Sequence, residues 1–279
     1  MLLNLSPSVY YYKAKTDPQD APIQDILNGL AEAHRRWGFW KMYRFIRGQS
    51  HPWNHKRVYR IYTQMHLNLR RKSKRRLPAR TKVALTLPVQ PNGVWSMDFM
   101  YDRLMNGRPF RTLNILDDFN REALNIVIDT SISSQRVARE LDRLFEWRGK
   151  PQTIRVDNGP EFLALEEYCK DNGVELRFIQ PAKPNQNAFI ERFNRTFRDD
   201  VLGQYLFEDL DQVKELTGRF IWDYNNIRPH DSLQSLTPRA FLLKYGKLSL
   251  AQADQKFPTF QQDNDDNPKE IFLDSPITT

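Results

Sequence analysis

The sequence predicts an α/β fold: a mixed five-stranded sheet flanked by helices and preceded by a small all-α helix-turn-helix domain. Up to about residue 68, apolar residues recur at helical spacing, whereas from Gly93 three short segments rich in β-branched and aromatic residues follow one another. Beyond these segments, helical and strand patterns alternate, which is typical of helices packed on the faces of a mixed sheet. The 279 residues are enough for one such domain and a smaller module.

The predicted helix-turn-helix domain covers residues 1–68. One helix follows Asp20, a second runs from Phe39 to about Arg47, and a third begins after Asn54, a residue that favours the N-cap position. The polar residues of the third helix lie off its apolar face: His55, Lys56, Arg57, Arg60 and Gln64. We expect this polar face to enter a DNA groove. The alternative is a small helical bundle that does not read DNA.

Residues 69–92 are predicted to form a basic linker. Six of the seven residues from 70 to 76 are basic, namely Arg70, Arg71, Lys72, Lys74, Arg75 and Arg76. Three prolines, at positions 78, 88 and 91, keep the following stretch extended. Such a segment contacts phosphates and carries no sequence information itself.

Residues 93–250 contain the predicted sheet and its helices. The strands are expected at 94–100, 110–119, 122–129, 153–157 and 174–180. The helices are expected from Ser133 to Gly149, from Phe162 to Asp171 and from Ala188 to about Leu206, with further helical pattern around residues 210–224. Residues 251–279 are acidic, poor in apolar side chains and predicted to be disordered.

Charge along the chain indicates a polyanionic partner. Residues 1–92 contain 18 Lys or Arg and 4 Asp or Glu, and no carboxylate occurs from Ala33 through Met97. Because no membrane-type amphipathic helix or spanning segment is evident, we expect nucleic acid and no membrane partner. The single Cys169 excludes an internal disulfide and a Cys-x-x-Cys site. A cytoplasmic protein, associated with the nucleoid when it binds DNA, is the expectation.

Three carboxylates form the candidate site. Asp98 lies within or at the end of the first predicted strand, and Asp157 lies at the end of the fourth. Adjacent parallel strands would bring both to one edge of the sheet. Glu191 projects from the first turn of the following long helix. Three acids with no matching Cys or His offer the oxygen ligands that suit magnesium and phosphate chemistry.

Each acid also has a purely structural interpretation. Asp157 caps a turn, because the following Asn-Gly readily takes positive φ. Asp98 is then a polar strand-end residue, and Glu191 pairs with Arg195 one helical turn later. Asp117 and Asp118, at the end of the second strand, are rival site residues. They rank lower, since a charged pair before a turn is common.

Four segments of the chain together resemble a known enzyme family. These segments are WSMDF, VDNGPEF, QPAKPNQNAFIERFNRTFR and YNNIRPHDSLQSLTPRAF. They resemble the catalytic domain of bacterial insertion-sequence transposases of the orfB type, in the superfamily of DDE transposases and retroviral integrases. The similarity extends from about Leu5 to Tyr245 and includes the upstream helix-turn-helix and the basic segment.

The resemblance implies a ribonuclease H-like fold with Asp98, Asp157 and Glu191 as the catalytic, metal-binding acids. It implies two Mg²⁺ ions, with Mn²⁺ as a substitute, and in-line displacement at phosphorus that both cuts transposon ends and joins them to target DNA. Arg198 matches a basic residue that contacts DNA in the family, and Arg195 shares its helix face. The implied partners are DNA, further copies of the chain, and a protein or fusion from an upstream reading frame.

Two departures from the family pattern, and two rival functions, stay open at this stage. The interval from Asp157 to Glu191 is slightly shorter than usual, which leaves the geometry of the site uncertain. A chain with one Cys lacks the amino-terminal His-His-Cys-Cys zinc module of retroviral integrases, so His51 and His55 are interpreted as turn and DNA-facing residues. The rivals are a catalytically inactive DNA-binding regulator and a ribonuclease H-like hydrolase that cuts without joining.

Overall fold

The computed structural model describes Tyr11 and residues 20–69, 88–180 and 184–246. The chain forms two compact units, residues 1–77 and 78–279. The predicted basic segment at 70–76 and the predicted acidic tail at 251–279 lie outside the described residues.

The first unit contains the three helices that the sequence predicted. They are α1 (Ala21–Ala33), α2 (Phe39–Gly48) and α3 (His55–Gln64). Asn54 caps α3 as expected, because its side-chain oxygen accepts a hydrogen bond of 2.9 Å from the Lys56 backbone N–H. Apolar side chains of all three helices are buried, among them Ile23, Leu27, Met42, Ile46, Val58 and Ile61. An all-α domain therefore precedes the sheet.

The second unit is built on a mixed five-stranded sheet, as predicted. The strands are β1 (Val94–Arg103), β2 (Pro109–Asp117), β3 (Glu122–Asp129), β4 (Thr153–Val156) and β5 (Glu175–Phe178). Their order is β3-β2-β1-β4-β5. β1, β2 and β3 pair antiparallel, while β4 runs parallel to β1 and β5 runs parallel to β4. This topology places β1 and β4 side by side in the middle of the sheet.

Helices cover both faces of this sheet. They are α4 (Ser134–Arg148), α5 (Pro160–Leu163), α6 (Glu166–Asp171), α7 (Ala188–Phe197), α8 (Leu210–Asn226) and α9 (Pro238–Tyr245). Trp95 and Met97 of β1 pack in one buried cluster with α4, and Met100 packs in a second cluster with α7 and α8. Because side chains alternate along a strand, Asp98 faces the α7 side. No helix among the described residues is long and apolar enough to cross a membrane.

Two predicted helix boundaries were wrong. The segment expected as one helix from Phe162 to Asp171 forms α5 and α6, since Leu165 N–H bonds back three residues to Phe162 O and closes α5. α6 then starts afresh at Glu166, where acidic side chains favour a helix beginning.

The helix from Ala188 is also shorter than predicted. It ends at Phe197 and continues only as a π-helical turn, Arg198–Leu202. The backbone N–H of Gly203 closes that turn on Arg198 O, 2.7 Å away. The chain then runs back to the β1–β2 hairpin, where Phe207 O accepts a bond of 2.8 Å from Met105 N–H. The buried ring of Phe207 fixes this exit from the helix.

A buried ion pair joins α4 to the base of the sheet. Arg148 Nη2 lies 2.9 Å from Asp117 Oδ2, and both side chains are fully buried. Asp117 also accepts hydrogen bonds from the backbone N–H groups of Asn92 and Phe119. Arg148 Nη1 lies 2.9 Å from Glu122 Oε2. The rival site residue Asp117 is therefore neutralised by a buried guanidinium.

Candidate active site

Asp98 and Asp157 stand side by side on one face of the sheet. In the parallel β1–β4 pair, Val94 is opposite Thr153 and Ser96 is opposite Arg155. Continuing this register by two residues pairs Asp98 with Asp157, on strands about 4.8 Å apart. Val156 points into the cluster with α4, so Asp157 follows it onto the opposite, α7 side. The sequence expectation that parallel strands bring these acids together is met by this register.

The loop after β4 fixes the Asp157 carboxylate. Asp157 Oδ1 accepts a hydrogen bond of 3.0 Å from Gly159 N–H. The expectation of positive φ at Asn-Gly was wrong: Gly159 has φ −63° and is the N-cap of α5. Glycine is needed there because a Cβ would lie 3.0 Å from Asp157 Oδ1. The turn is thus built around the carboxylate, and α5 begins immediately after it.

Glu191 lies in the first turn of α7, the helix that packs beside Asp98. Three residues further along this helix, Asn194 Nδ2 donates a hydrogen bond of 2.7 Å to Asp98 Oδ2. Residues three apart in a helix share a face, so Glu191 lies on the side of α7 that approaches the two aspartates. Glu191 itself is exposed. Within the described ranges, no group of three or more His, Cys, Asp or Glu side chains is arranged to hold a metal ion.

Electrostatics confirm that Asp98 lies within reach of both other acids. Burial raises the pKa of Asp98, and the negative charges of Asp157 and Glu191 raise it further, to about 6. The hydrogen bonds from Phe99 N–H and Asn194 act in the opposite direction and favour the carboxylate. Three acids whose charges repel across a common space would gain stability from a bound cation.

The site acids differ from the rival acids in their partners. Asp117 is paired with Arg148, and Asp118 accepts hydrogen bonds from Arg155 Nη1 at 2.8 Å and from Ser96 Oγ at 2.7 Å. Among the described residues, Asp98, Asp157 and Glu191 form no ion pair. The structural interpretation in which Glu191 pairs with Arg195 therefore has no contact behind it in this part of the chain.

The predicted DNA-contact residues fall into two groups. In the first unit, Arg57 and Arg60 both bind Asp20, with N–O distances of 2.7 and 2.6 Å, while His55 and Lys56 are exposed. Asp20 lies just before α1, so an acid distant in sequence orients two guanidinium groups of α3.

The second group lies on α7 and just after it. Arg195 is exposed, and the half-exposed Arg198 donates to Tyr101 O at 3.0 Å and lies 3.4 Å from Asp102. These contacts hold the Arg198 guanidinium at the end of β1, on the same helix as Glu191. The six basic residues of segment 70–76 lie outside the described residues.

Sequence reasoning missed two groups that support the site. One is Asn194, whose only sequence signal is its place in the segment ERFN. The other is the contact of Asp118 with Ser96 and Arg155, which lie two residues before Asp98 and Asp157. That contact ties β1 to β4 one step behind the two aspartates. No sequence signal pairs Asp118 with either strand.

Comparisons with known proteins agree with this architecture. Two models described as integrase core domain match residues 88–184 and 172–238, and a model described as HTH-like domain matches residues 19–75. The insertion element IS407 uncharacterized 31.7 kDa protein of Burkholderia multivorans is 42% identical over 246 residues, which cover 88% of this chain and 89% of that protein. The chain belongs to the family of bacterial insertion-sequence transposases with an integrase core. The predicted resemblance is thereby confirmed.

More distant relatives of this transposase follow the same pattern. The transposase InsD for insertion element IS2A/D/F/H/I/K of Escherichia coli is 28% identical over 199 residues, covering 68% of this chain and 66% of that protein. Among solved structures, the HTLV-2 integrase catalytic core domain in complex with magnesium is 19% identical, with a TM-score of 0.44, covering 55% of this chain and 97% of that one. Proteins of this family act on DNA in transposition and depend on metal ions.

Proposed function

We propose that this transposase cuts and joins DNA strands by in-line displacement at phosphorus, with Asp98, Asp157 and Glu191 as ligands of two Mg²⁺ ions. Mn²⁺ is expected to substitute. The observation that carries the proposal is the placement of three acids without ion-pair partners, among the described residues, around one face of the β1–β4 pair. Their neighbours Asp117 and Asp118 each have an arginine, so a lack of counter-charge is specific to the three.

The donor set suits this metal. Carboxylate oxygens are the ligands that Mg²⁺ prefers, and no His or Cys is required. The Asp98 carboxylate is already held by two N–H donors, from Phe99 at 2.9 Å and from Asn194 at 2.7 Å. Asp157 is held by Gly159 N–H. Glu191 is the exposed member, and its side chain would complete the set by turning toward the aspartates.

The chain's own residues would bind, orient and neutralise. When bound, two divalent ions supply charge stabilisation at the attacking and leaving oxygens of a phosphodiester exchange. Asp98 and Asp157 would fix the ligand positions from adjacent strands, and Glu191 would add the third from α7. Arg195 and Arg198, on the side of α7 that continues from Glu191, would bind phosphates of the DNA backbone. The attacking oxygen, water or a DNA 3′-hydroxyl, decides between cleavage and joining.

The proposed partners are the ends of the mobile element and a target DNA, bound by several copies of the chain. The helix-turn-helix unit and the basic segment at 70–76 would supply most of the affinity for DNA. A protein or fusion partner from an upstream reading frame would assist end recognition. The reaction would take place at the nucleoid, in the cytoplasm.

Removal of the metal tests the proposal. With a labelled duplex carrying the element end, strand cleavage and joining should fall below detection in EDTA and return on addition of Mg²⁺ or Mn²⁺, but not Ca²⁺ alone. DNA retention on filters should change little, because the basic residues provide the binding. Cleavage that persists in EDTA would contradict the proposal. A DNA-binding regulator would show retention without any metal-dependent product, and a simple hydrolase would give cleavage without new junctions.

Salt dependence tests the proposed DNA anchor. The logarithm of the DNA association constant should fall linearly with the logarithm of salt concentration, by about 0.9 for each phosphate neutralised. Replacing Arg70, Arg71, Lys72, Lys74, Arg75 and Arg76 by Ser should make this slope shallower by several such steps. A wild-type slope below about two would count against the basic segment as anchor.

A further inference from the structure

A chain of buried amide groups leads from the sheet to the Asp98 carboxylate. Asn114, on β2, is opposite Asp98 in the β1–β2 register and is fully buried. Its Nδ2 donates a hydrogen bond of 2.6 Å to Asn194 Oδ1, and Asn194 Nδ2 donates one of 2.7 Å to Asp98 Oδ2. Asn194 is on α7 and is only 8% exposed. The chain therefore joins β2, α7 and β1 through side chains alone.

These contacts fix which way the Asn194 amide points. The Asn194 oxygen is occupied by a donor from Asn114, so its nitrogen must face Asp98. The reversed amide would set its oxygen against the carboxylate and its nitrogen against the Asn114 nitrogen. Asn194 thus presents only a donor to Asp98, which favours the ionised carboxylate and holds one of its oxygens in place.

The arrangement is poorly explained by stability alone. Asn114 Oδ1 is buried and has no hydrogen-bond partner among the described residues. Met100, Ile190 and Phe193 form an apolar cluster on this side of the sheet, where leucine would pack without an unsatisfied polar atom. A buried amide retained here, with its donor directed at a site acid, points to a role at the site.

We propose that Asn194, oriented by Asn114, is a positioning residue for the metal site: it fixes the Asp98 carboxylate and, through α7, sets the distance between Asp98 and Glu191. This inference rests on the proposed function. Asn194 and Glu191 are three residues apart on the same helix, so the hydrogen bond to Asp98 anchors the turn that carries Glu191. Loss of the donor would free both ligands at once.

The test is direct binding of Mn²⁺ to the full chain, measured by the decrease of the free-ion electron paramagnetic resonance signal. Asn194→Leu and the double variant Asn114→Leu/Asn194→Leu should bind Mn²⁺ about 10–100-fold more weakly than wild type, as expected for loss of an outer-shell partner. Strand joining should fall in parallel and be partly restored by excess Mn²⁺. The double variant replaces both amides with apolar groups of similar size, so its fold should be retained.

Asn225→Ala is the matched control. Asn225 also ties a helix to the sheet, through two hydrogen bonds of 2.9 Å with the Ala123 backbone, but it contacts no acid of the site. This variant should lose stability and keep wild-type Mn²⁺ affinity. A folded double variant with unchanged Mn²⁺ affinity would overturn the positioning role. Failure of the wild type itself to bind Mn²⁺ would instead overturn the proposed function, so the two failures are distinguishable.

Discussion

Asp157→Asn is expected to lower strand cleavage and joining by about three orders of magnitude or more, with DNA affinity within about twofold of wild type. A metal ligand at the reacting phosphate supplies several kcal/mol of transition-state stabilisation, and each 1.36 kcal/mol is about tenfold in rate. The substitution keeps the side-chain shape and an oxygen that can accept from Gly159 N–H, so the loop after β4 should persist. DNA binding depends on the basic residues, which are unchanged.

Asp171→Asn provides the control for this variant. Asp171 is an exposed residue at the end of α6, and its replacement alters the net charge by the same amount. Nicking and filter-binding assays on the two variants separate chemistry from binding. Equal loss of binding and cleavage in Asp157→Asn would show that the residue acts in DNA affinity or folding, and would remove it from the proposed metal site.

Asp117→Leu is expected to reduce the free energy of unfolding by about 3–5 kcal/mol, because it leaves the buried Arg148 guanidinium without its main counter-charge. Glu122, on the other side of Arg148, compensates only in part, and the N–H groups of Asn92 and Phe119 lose their acceptor. Urea unfolding followed by circular dichroism measures the loss.

The surface pair Glu215–Arg219 on α8 gives the comparison. Both side chains are more than half exposed, at 65% and 55%, and their N–O distance is 2.8 Å. Glu215→Ala should change the free energy of unfolding by no more than about 0.5 kcal/mol. A similarly small loss in Asp117→Leu would mean that the Asp117–Arg148 contact is not the buried ion pair described above.

Much of the site could be predicted because its parts are local in sequence. Strand patterns located β1 and β4, and the end of each strand located Asp98 and Asp157. The parallel pairing of those strands followed from the single helical crossover and the hairpins before it. The short helical pattern after Pro184 gave the position of Glu191.

The unpredicted features depend on contacts between distant residues or on local detail that propensity does not resolve. Asn194 touches Asp98 across nearly a hundred residues, and Arg57 reaches Asp20 across α1 and α2. Helical periodicity alone places Asn194 on α7 but does not say that its face meets Asp98. At Gly159, the dipeptide Asn-Gly indicated a turn correctly, yet the close approach of the Asp157 carboxylate, and not positive φ, is what requires glycine.

The central claim is that Glu191 completes the metal site with Asp98 and Asp157. The most direct test is a junction assay in cells, with a plasmid that carries the whole element, upstream frame included, and amplification across abutted element ends. Wild type should give junctions; Glu191→Gln should give none, while the exposed helix variant Glu215→Gln behaves as wild type. Junctions from Glu191→Gln at the wild-type level would contradict the assignment of the third acid and the proposed three-carboxylate mechanism with it.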